Sequence, residues 1–293
     1  MKEENYQEVL EQLKEECFIR NRTYHTVRGY VASVRAFLRS VECESVDELT
    51  LKHARKFIID MRNSGKKTSS CNEVNSAISF FYQKVLHKQW DYDVVPRMKR
   101  DYTLPTVITL DEIENLIDTA DNIRNKAIIA LLYSSGLRVG ELVNLAPEDI
   151  YKSKMLVHVR TSKNHCDRWT ILSETALKYL SEYWYSYPVK RKYLFVSLRE
   201  PHAPLKVSGV EDMLKHIGKE AGLANVHPHT LRHCFASHML ERGVAIHEIQ
   251  AMMGHRSASS TAVYIHVTNK TIMGIKSPLD HPQPSKEMEV KEG

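Results

Sequence analysis

An imidazole and a guanidinium, two groups suited to phosphate esters, stand three residues apart in His229-Thr-Leu-Arg232-His233. On a helix that spacing puts both on one face and pairs an acid/base with a fixed cation. Histidines four apart can also share a zinc ion, and His229 and His233 have that spacing. No glutamate lies between them, however, and no third ligand is evident. From Val226 to Val267 the only carboxylates are Glu241 and Glu248, which argues against a carboxylate-held magnesium ion. Phosphate chemistry at this locus would therefore rest on arginine and lysine side chains in a preorganised site. Arg138 follows Gly136 near the start of a helix, where a cation opposes the helix dipole and hints at an anion beside it. Tyr264, flanked by Val263 and Ile265, reads by itself as a core aromatic on a helix.

These residues need a scaffold, and the apolar spacing predicts a mainly helical one with a small β-hairpin. Thr109-Leu-Asp-Glu112 is a capping-box pattern opening a helix that buries Ile113, Leu116 and Ile117. Ala127 to Tyr133 is apolar nearly all round, as in a helix central to a core, and Ser134-Ser-Gly136 ends it. Met155 to Val159 and Trp169 to Leu172 read as strands around a polar turn, Ser162-Lys-Asn-His. Ser208-Gly-Val-Glu211 is expected to cap a helix ending at Gly222. Two more helices run from about His229 to Arg242 and up to Gly254.

Upstream, Val27, Tyr30, Val31, Val34, Phe37 and Leu38 mark an amphipathic helix, with Arg28, Arg35 and Arg39 on a neighbouring face. No carboxylate occurs between Glu16 and Glu42, so the local field is positive. A second helix carries Leu51, Ala54, Phe57, Ile58 and Met61. A basic loop from Arg62 through Lys66 and Lys67 to Ser70 follows, then a helix around Ile78, Phe81 and Val85. Pro96 to Pro105 combines two prolines with three basic residues and is the expected linker. The predicted organisation is a helical domain at 1–96, a linker at 97–108, a second domain at 109–276 and a loose tail at 277–293.

Bulk properties fit a two-domain protein of 293 residues with a net charge of +5. No apolar run approaches the roughly 18 residues of a membrane span, and the polar N-terminus lacks a secretory core, so a cytoplasmic protein is expected. Five scattered cysteines form no Cys-x-x-Cys pair and read as reduced structural thiols.

In order along the chain, Tyr133-Ser-Ser-Gly-Leu-Arg138-Val-Gly-Glu141-Leu, Ser162-Lys163-Asn-His-Cys-Asp-Arg168-Trp-Thr-Ile-Leu, His229-Thr-Leu-Arg232-His-Cys-Phe-Ala-Ser-His-Met-Leu-Glu, and Met253-Gly-His255 followed nine residues on by Tyr264-Ile-His resemble the tyrosine recombinases. These motifs span about half the chain. The resemblance implies an N-terminal SAM-like core-binding domain and a C-terminal catalytic domain that clamp double-stranded DNA at a specific site, working as a homotetramer without ATP, metal or other cofactor. It also implies roles: Tyr264 as nucleophile, His229 as base, Arg138, Arg232 and His255 on the phosphoryl oxygens, Lys163 as acid, and Glu141 buttressing Arg138. Arg28, Arg35, Arg39, Lys66, Lys67 and Arg168 are the expected further DNA contacts. The glycines usual around the hairpin lysine are here Ser162 and Asn164, and Cys166 stands where a second lysine is common, so Lys154 competes with Lys163. Type IB topoisomerases share this chemistry but rejoin the same strand, and a non-catalytic DNA-binding regulator could keep the scaffold.

Overall fold

The computed structural model describes residues 4, 6–99, 106–160, 167–186, 191–197 and 203–254. Lys163, His255, Tyr264, the hairpin turn and the tail at 277–293 lie outside the described residues, as do positions 100–105 of the expected linker. The described residues form α-helices and one three-stranded antiparallel sheet, and the chain divides into two compact units, 1–103 and 104–293.

In the first unit, α1 (Gln7–Ile19), α2 (Tyr24–Ser40), α3 (Leu51–Asn63) and α4 (Thr68–Lys84) close on one apolar core. Leu10, Leu13, Val34, Phe37, Leu38, Ala54, Ile78 and Phe81 are buried in it. The Thr23 hydroxyl accepts the Thr26 amide at 3.4 Å and starts α2, whose inward stripe is the one expected from its sequence. Arg28 and Arg39 stand exposed on this helix and Arg35 is half-buried. The basic loop is shorter than expected: Thr68, Ser69 and Ser70 already belong to the first turn of α4, leaving Ser64 to Lys67 as the connection, with Lys66 and Lys67 exposed. Hydroxyl residues suit that turn because its amides have no intrahelical acceptor.

The second unit is built around α6 (Ile123–Ser135). Ala127, Ile128, Ile129, Leu131 and Leu132 are wholly buried, so the helix is enclosed by α5 (Leu110–Thr119), α8 (Glu174–Ser186) and α10 (Pro228–Glu241). The predicted capping box holds: the Glu112 amide donates to the Thr109 hydroxyl at 3.2 Å and the Thr109 amide to Glu112 Oε2 at 2.7 Å. The remaining helices are α7 (Val139–Leu142), α9 (Val207–Glu220) and α11 (Ile246–Met253). Lys206, not Ser208, occupies the N-cap of α9 and makes no side-chain cap bond, so the expected capping box is absent and Ser208 is helical.

Strands β1 (Ile150–Tyr151), β2 (Leu156–Val159) and β3 (Arg168–Ile171) pair in sequence order, with Val157 opposite Thr170 and Val159 opposite Arg168. Met155 sits in the left-handed region at φ +52°, which ends the β1–β2 turn and delays β2 by one residue from its expected start. Among the described residues no helix is long and apolar enough to cross a membrane.

Candidate active site

The site gathers at the C-terminal end of α6, where Gly136 takes the left-handed conformation at φ +59°. A Cβ at this glycine would lie 2.4 Å from the Phe235 ring, so only glycine both makes the turn and lets α10 approach. The last carbonyls of a helix lack intrahelical donors. Here Thr170 of β3 donates to Ser135 O at 2.8 Å, and Arg232 of α10 donates through Nη1 to Gly136 O at 2.5 Å. Arg232 also donates through Nη2 to Met253 O at 2.6 Å and so bridges the C-terminal ends of α6 and α11, where a cation is favoured by both helix dipoles. It is 3% exposed.

Beyond Gly136 the chain turns into α7, with Arg138 at the N-cap and Glu141 one turn later. Glu141 Oε2 accepts the Arg138 amide at 2.8 Å, and Oε1 accepts Arg138 Nη1 at 2.9 Å. Arg168 completes the carboxylate: its Nη1 donates to Oε1 at 2.8 Å and its Nη2 to Oε2 at 2.7 Å. Arg232 Nη1 stands 3.9 Å from Oε2. Three arginines from three segments thus surround one carboxylate. Burial opposes its ionisation, but the hydrogen bonds and charge of Arg168, then the backbone and side-chain hydrogen bonds of Arg138, outweigh burial and hold Glu141 at about 2. The Arg138 side chain remains 40% exposed, so this guanidinium faces solvent while Glu141 fixes its base.

His229 lies in the first turn of α10 beside Arg232 on an open groove lined by Glu211, Lys215, Lys219 and His227. It is exposed, yet partial covering of its ring, then the positive charges of Arg232, His227 and Arg138, lower its pKa from the ordinary 6.5. The shift favours the neutral imidazole, the form that can accept a proton. His233, more enclosed, is brought down to about 4 by burial and then by the neighbouring His229 and Arg232. The two rings are 6.4 Å apart, and among the described residues no group of three His, Cys, Asp or Glu side chains could hold a metal ion.

Of the residues singled out by sequence, Arg138, Glu141, His229 and Arg232 therefore come together. Arg168 is placed differently from the other expected DNA contacts. Expected as a DNA contact, it is 8% exposed and its guanidinium is taken up by Glu141 and by Met252 O, 2.6 Å from Nε. Trp169, which hydrophobicity would turn inward, is instead exposed and stacks on His158 at 4.6 Å and edge-on to Tyr151 at 4.7 Å. Strand alternation then sends Arg168 and Thr170 inward. Lys154 is exposed in the β1–β2 turn, across β2 from the end of the sheet that carries Arg168.

The profile of the phage integrase family matches residues 106–271, and that of the phage integrase N-terminal SAM-like domain matches residues 9–92. The tyrosine recombinase XerA of Pyrococcus horikoshii is 36% identical over 90% of this chain and 90% of its own length. The tyrosine recombinase XerC of Bacillus pumilus is 30% identical over 84% and 87%. The crystal structure of a XerA recombinase aligns with a TM-score of 0.54 at 30% identity, over 91% of this chain and 96% of that one. A lambda integrase dimer bound to a core site shares the fold with a TM-score of 0.72 at 18% identity, over 88% and 94%. Both profiles fall on the units the structure separates, and together they cover most of the sequence: the chain belongs to the phage integrase family of tyrosine recombinases.

Proposed function

We propose that this chain is a site-specific DNA recombinase that cuts and rejoins strands through a 3′-phosphotyrosyl bond at Tyr264. The observation that carries the reading is the convergence of Arg138 and Arg232 on the saturated carboxylate of Glu141, with the imidazole of His229 on the same helix as Arg232, one turn away. Two guanidinium groups fixed before substrate arrives are what a pentavalent phosphorane, with its extra negative charge, requires. Tyr264 attacks the scissile phosphorus in line and expels the 5′ oxygen. An unassisted phenol ionises only near pH ~10, so the tyrosyl proton passes to His229. His255 donates to a non-bridging oxygen, and Lys163 protonates the leaving 5′ oxygen. The bond energy is kept in the phosphotyrosine, so a 5′ hydroxyl from a second duplex can attack it and rejoin the strand without ATP.

Residues 109–276 form the catalytic domain in this reading. The helical residues 1–96 bind the duplex through Arg28, Arg35, Arg39, Lys66 and Lys67, with 97–108 as linker and 277–293 as tail. The partner is double-stranded DNA in the cytoplasm, and the working assembly is a homotetramer on two sites. Support comes from related structures, among them a lambda integrase tetramer bound to a Holliday junction and XerH bound to a difH substrate. To test it, duplexes that the wild-type chain selects from a randomised pool are nicked next to the cleavage position and incubated with wild type and Tyr264→Phe. A covalent adduct with wild type alone, and joints between two duplexes on intact sites, are expected. An adduct that persists in Tyr264→Phe, or relaxed circles without joints, refutes the reading.

A further inference from the structure

Arg168 is anchored in the site by three hydrogen bonds, and the mechanism proposed above gives it no part. Its fork meets the Glu141 carboxylate side-on with two hydrogen bonds, at 2.8 and 2.7 Å, while Nε donates to Met252 O at 2.6 Å. With the Arg138 amide and Nη1, it fills both oxygens of Glu141. It also opens β3, the strand that follows the hairpin turn carrying Lys163 in sequence, and holds the last turn of α11, which His255 and Tyr264 follow. The fit is close: Gly254, at φ +64°, would place a Cβ 3.0 Å from Arg168 Cδ and 3.2 Å from its Nε, so the chain passes tightly over the Arg168 side chain.

We propose that Arg168 is a positioning residue for strand cleavage, clamping Glu141 and the end of α11 together so that Arg138 and Arg232 present their guanidinium groups to one phosphate. The inference rests on the recombinase reading above. The clamp depends on shape as well as charge. A lysine supplies a single point charge and cannot span both carboxylate oxygens and the Met252 carbonyl, whereas a planar fork can. Without the second arginine, Glu141 is free to follow Arg138, and Met252 loses its donor. A displacement of about 1 Å at the reacting groups is enough to cost on the order of 100-fold in rate.

The experiment compares full-length wild type, Arg168→Lys, Arg168→Ala, Glu141→Gln and the double variant R168A/E141Q on the selected nicked duplex. It reads duplex affinity and, separately, the single-turnover rate of covalent adduct formation per bound protein, so that an unfolded fraction does not count. Arg168→Lys and Arg168→Ala are both expected to bind the duplex within about 3-fold of wild type and to cleave about 100-fold more slowly. In the Glu141→Gln background Arg168→Ala should add less than about 5-fold, because both residues act through one clamp. Wild-type cleavage by Arg168→Lys, or a full additional 100-fold loss in the double variant, overturns the inference. A loss confined to binding does so as well, since it would make Arg168 a DNA contact. If wild type itself forms no adduct, the recombinase reading falls and this inference falls with it.

Discussion

Replacing Glu141 by glutamine keeps the shape of the side chain and removes the charge that three arginines share. The carboxyl is shifted from 4.5 in the unfolded chain to about 2 in the folded one, a difference that corresponds to about 3 kcal/mol of stability at pH 7. Only 10% of the side chain is exposed, so solvent screening removes little of this. Mutational experience with buried pairs broken on one side agrees, at about 3–5 kcal/mol, because the partner cation is left buried. Arg168 would be that cation. With a urea slope of about 2 kcal/mol per molar, the unfolding midpoint of Glu141→Gln should fall by about 1.5 M at pH 7. The pH dependence gives an independent check. Because the folded-state pKa is depressed, the contribution is complete above pH 4.5 and is lost as pH falls towards 2. Glutamine does not titrate, so the gap between wild type and variant should narrow to about 1.5 kcal/mol by pH 3. Urea titrations of both proteins at pH 7, 5, 4 and 3, followed by circular dichroism, measure it. Equal midpoints at pH 7, or a gap that stays constant down to pH 3, would refute the carboxylate's place at the centre of the site.

Gly136→Ala must enter a left-handed conformation and push aside the Phe235 ring, so it should cost about 3 kcal/mol, and thermal unfolding should show a loss of several degrees. Thr109→Ala removes the hydroxyl that caps α5 and should cost about 1 kcal/mol in the same assay, with cleavage of bound duplex unchanged. In the proposed role His229 accepts a proton when neutral, and its pKa is lowered in the free chain, so at subsaturating duplex the acid limb of adduct formation should lie below pH 6.5; a limb centred above 6.5 would contradict that pairing of role and pKa. His233 is held at about 4, so the folded chain binds fewer protons than the unfolded one between pH 4 and 6.5. Stability should therefore decline as pH falls through that window, and His233→Asn should flatten the decline.

Helices with a complete local signature were legible in the sequence. The capping box at Thr109, the all-round apolar run of α6 with Gly136 behind it, and the glycine ends of α10 and α11 each state their own boundaries. The α1 helix is hard to read from sequence, although Leu10, Leu13 and Cys17 form an inward stripe, because its outward face is so rich in Glu and Lys that the acidic start masks the period. Helix α8 is obscured for a different reason: Ala176, Leu180 and Tyr183 point inward, but the exposed aromatics Trp184 and Tyr185 blur the stripe. Ser208 misled because a hydroxyl with a glutamate three residues on is equally at home inside a first turn. At the site, the spacing of His229 and Arg232 sufficed to predict a shared face. What spacing could not reveal is that Arg168 points inward, because hydrophobicity assigns the inner face of β3 to Trp169. The one available signal was stoichiometric: a carboxylate as central as Glu141 can accept more donors than Arg138 alone provides.

The central claim is that Arg138 and Arg232 meet on a single scissile phosphate within reach of Tyr264. A crystal structure of Tyr264→Phe bound to the selected intact duplex tests it most directly. The expected density places one phosphate with its non-bridging oxygens within about 3 Å of both guanidinium groups, and the substituted ring at position 264 in line with the 5′ oxygen. A duplex whose phosphates approach neither arginine, or approach them on separate nucleotides, would contradict it.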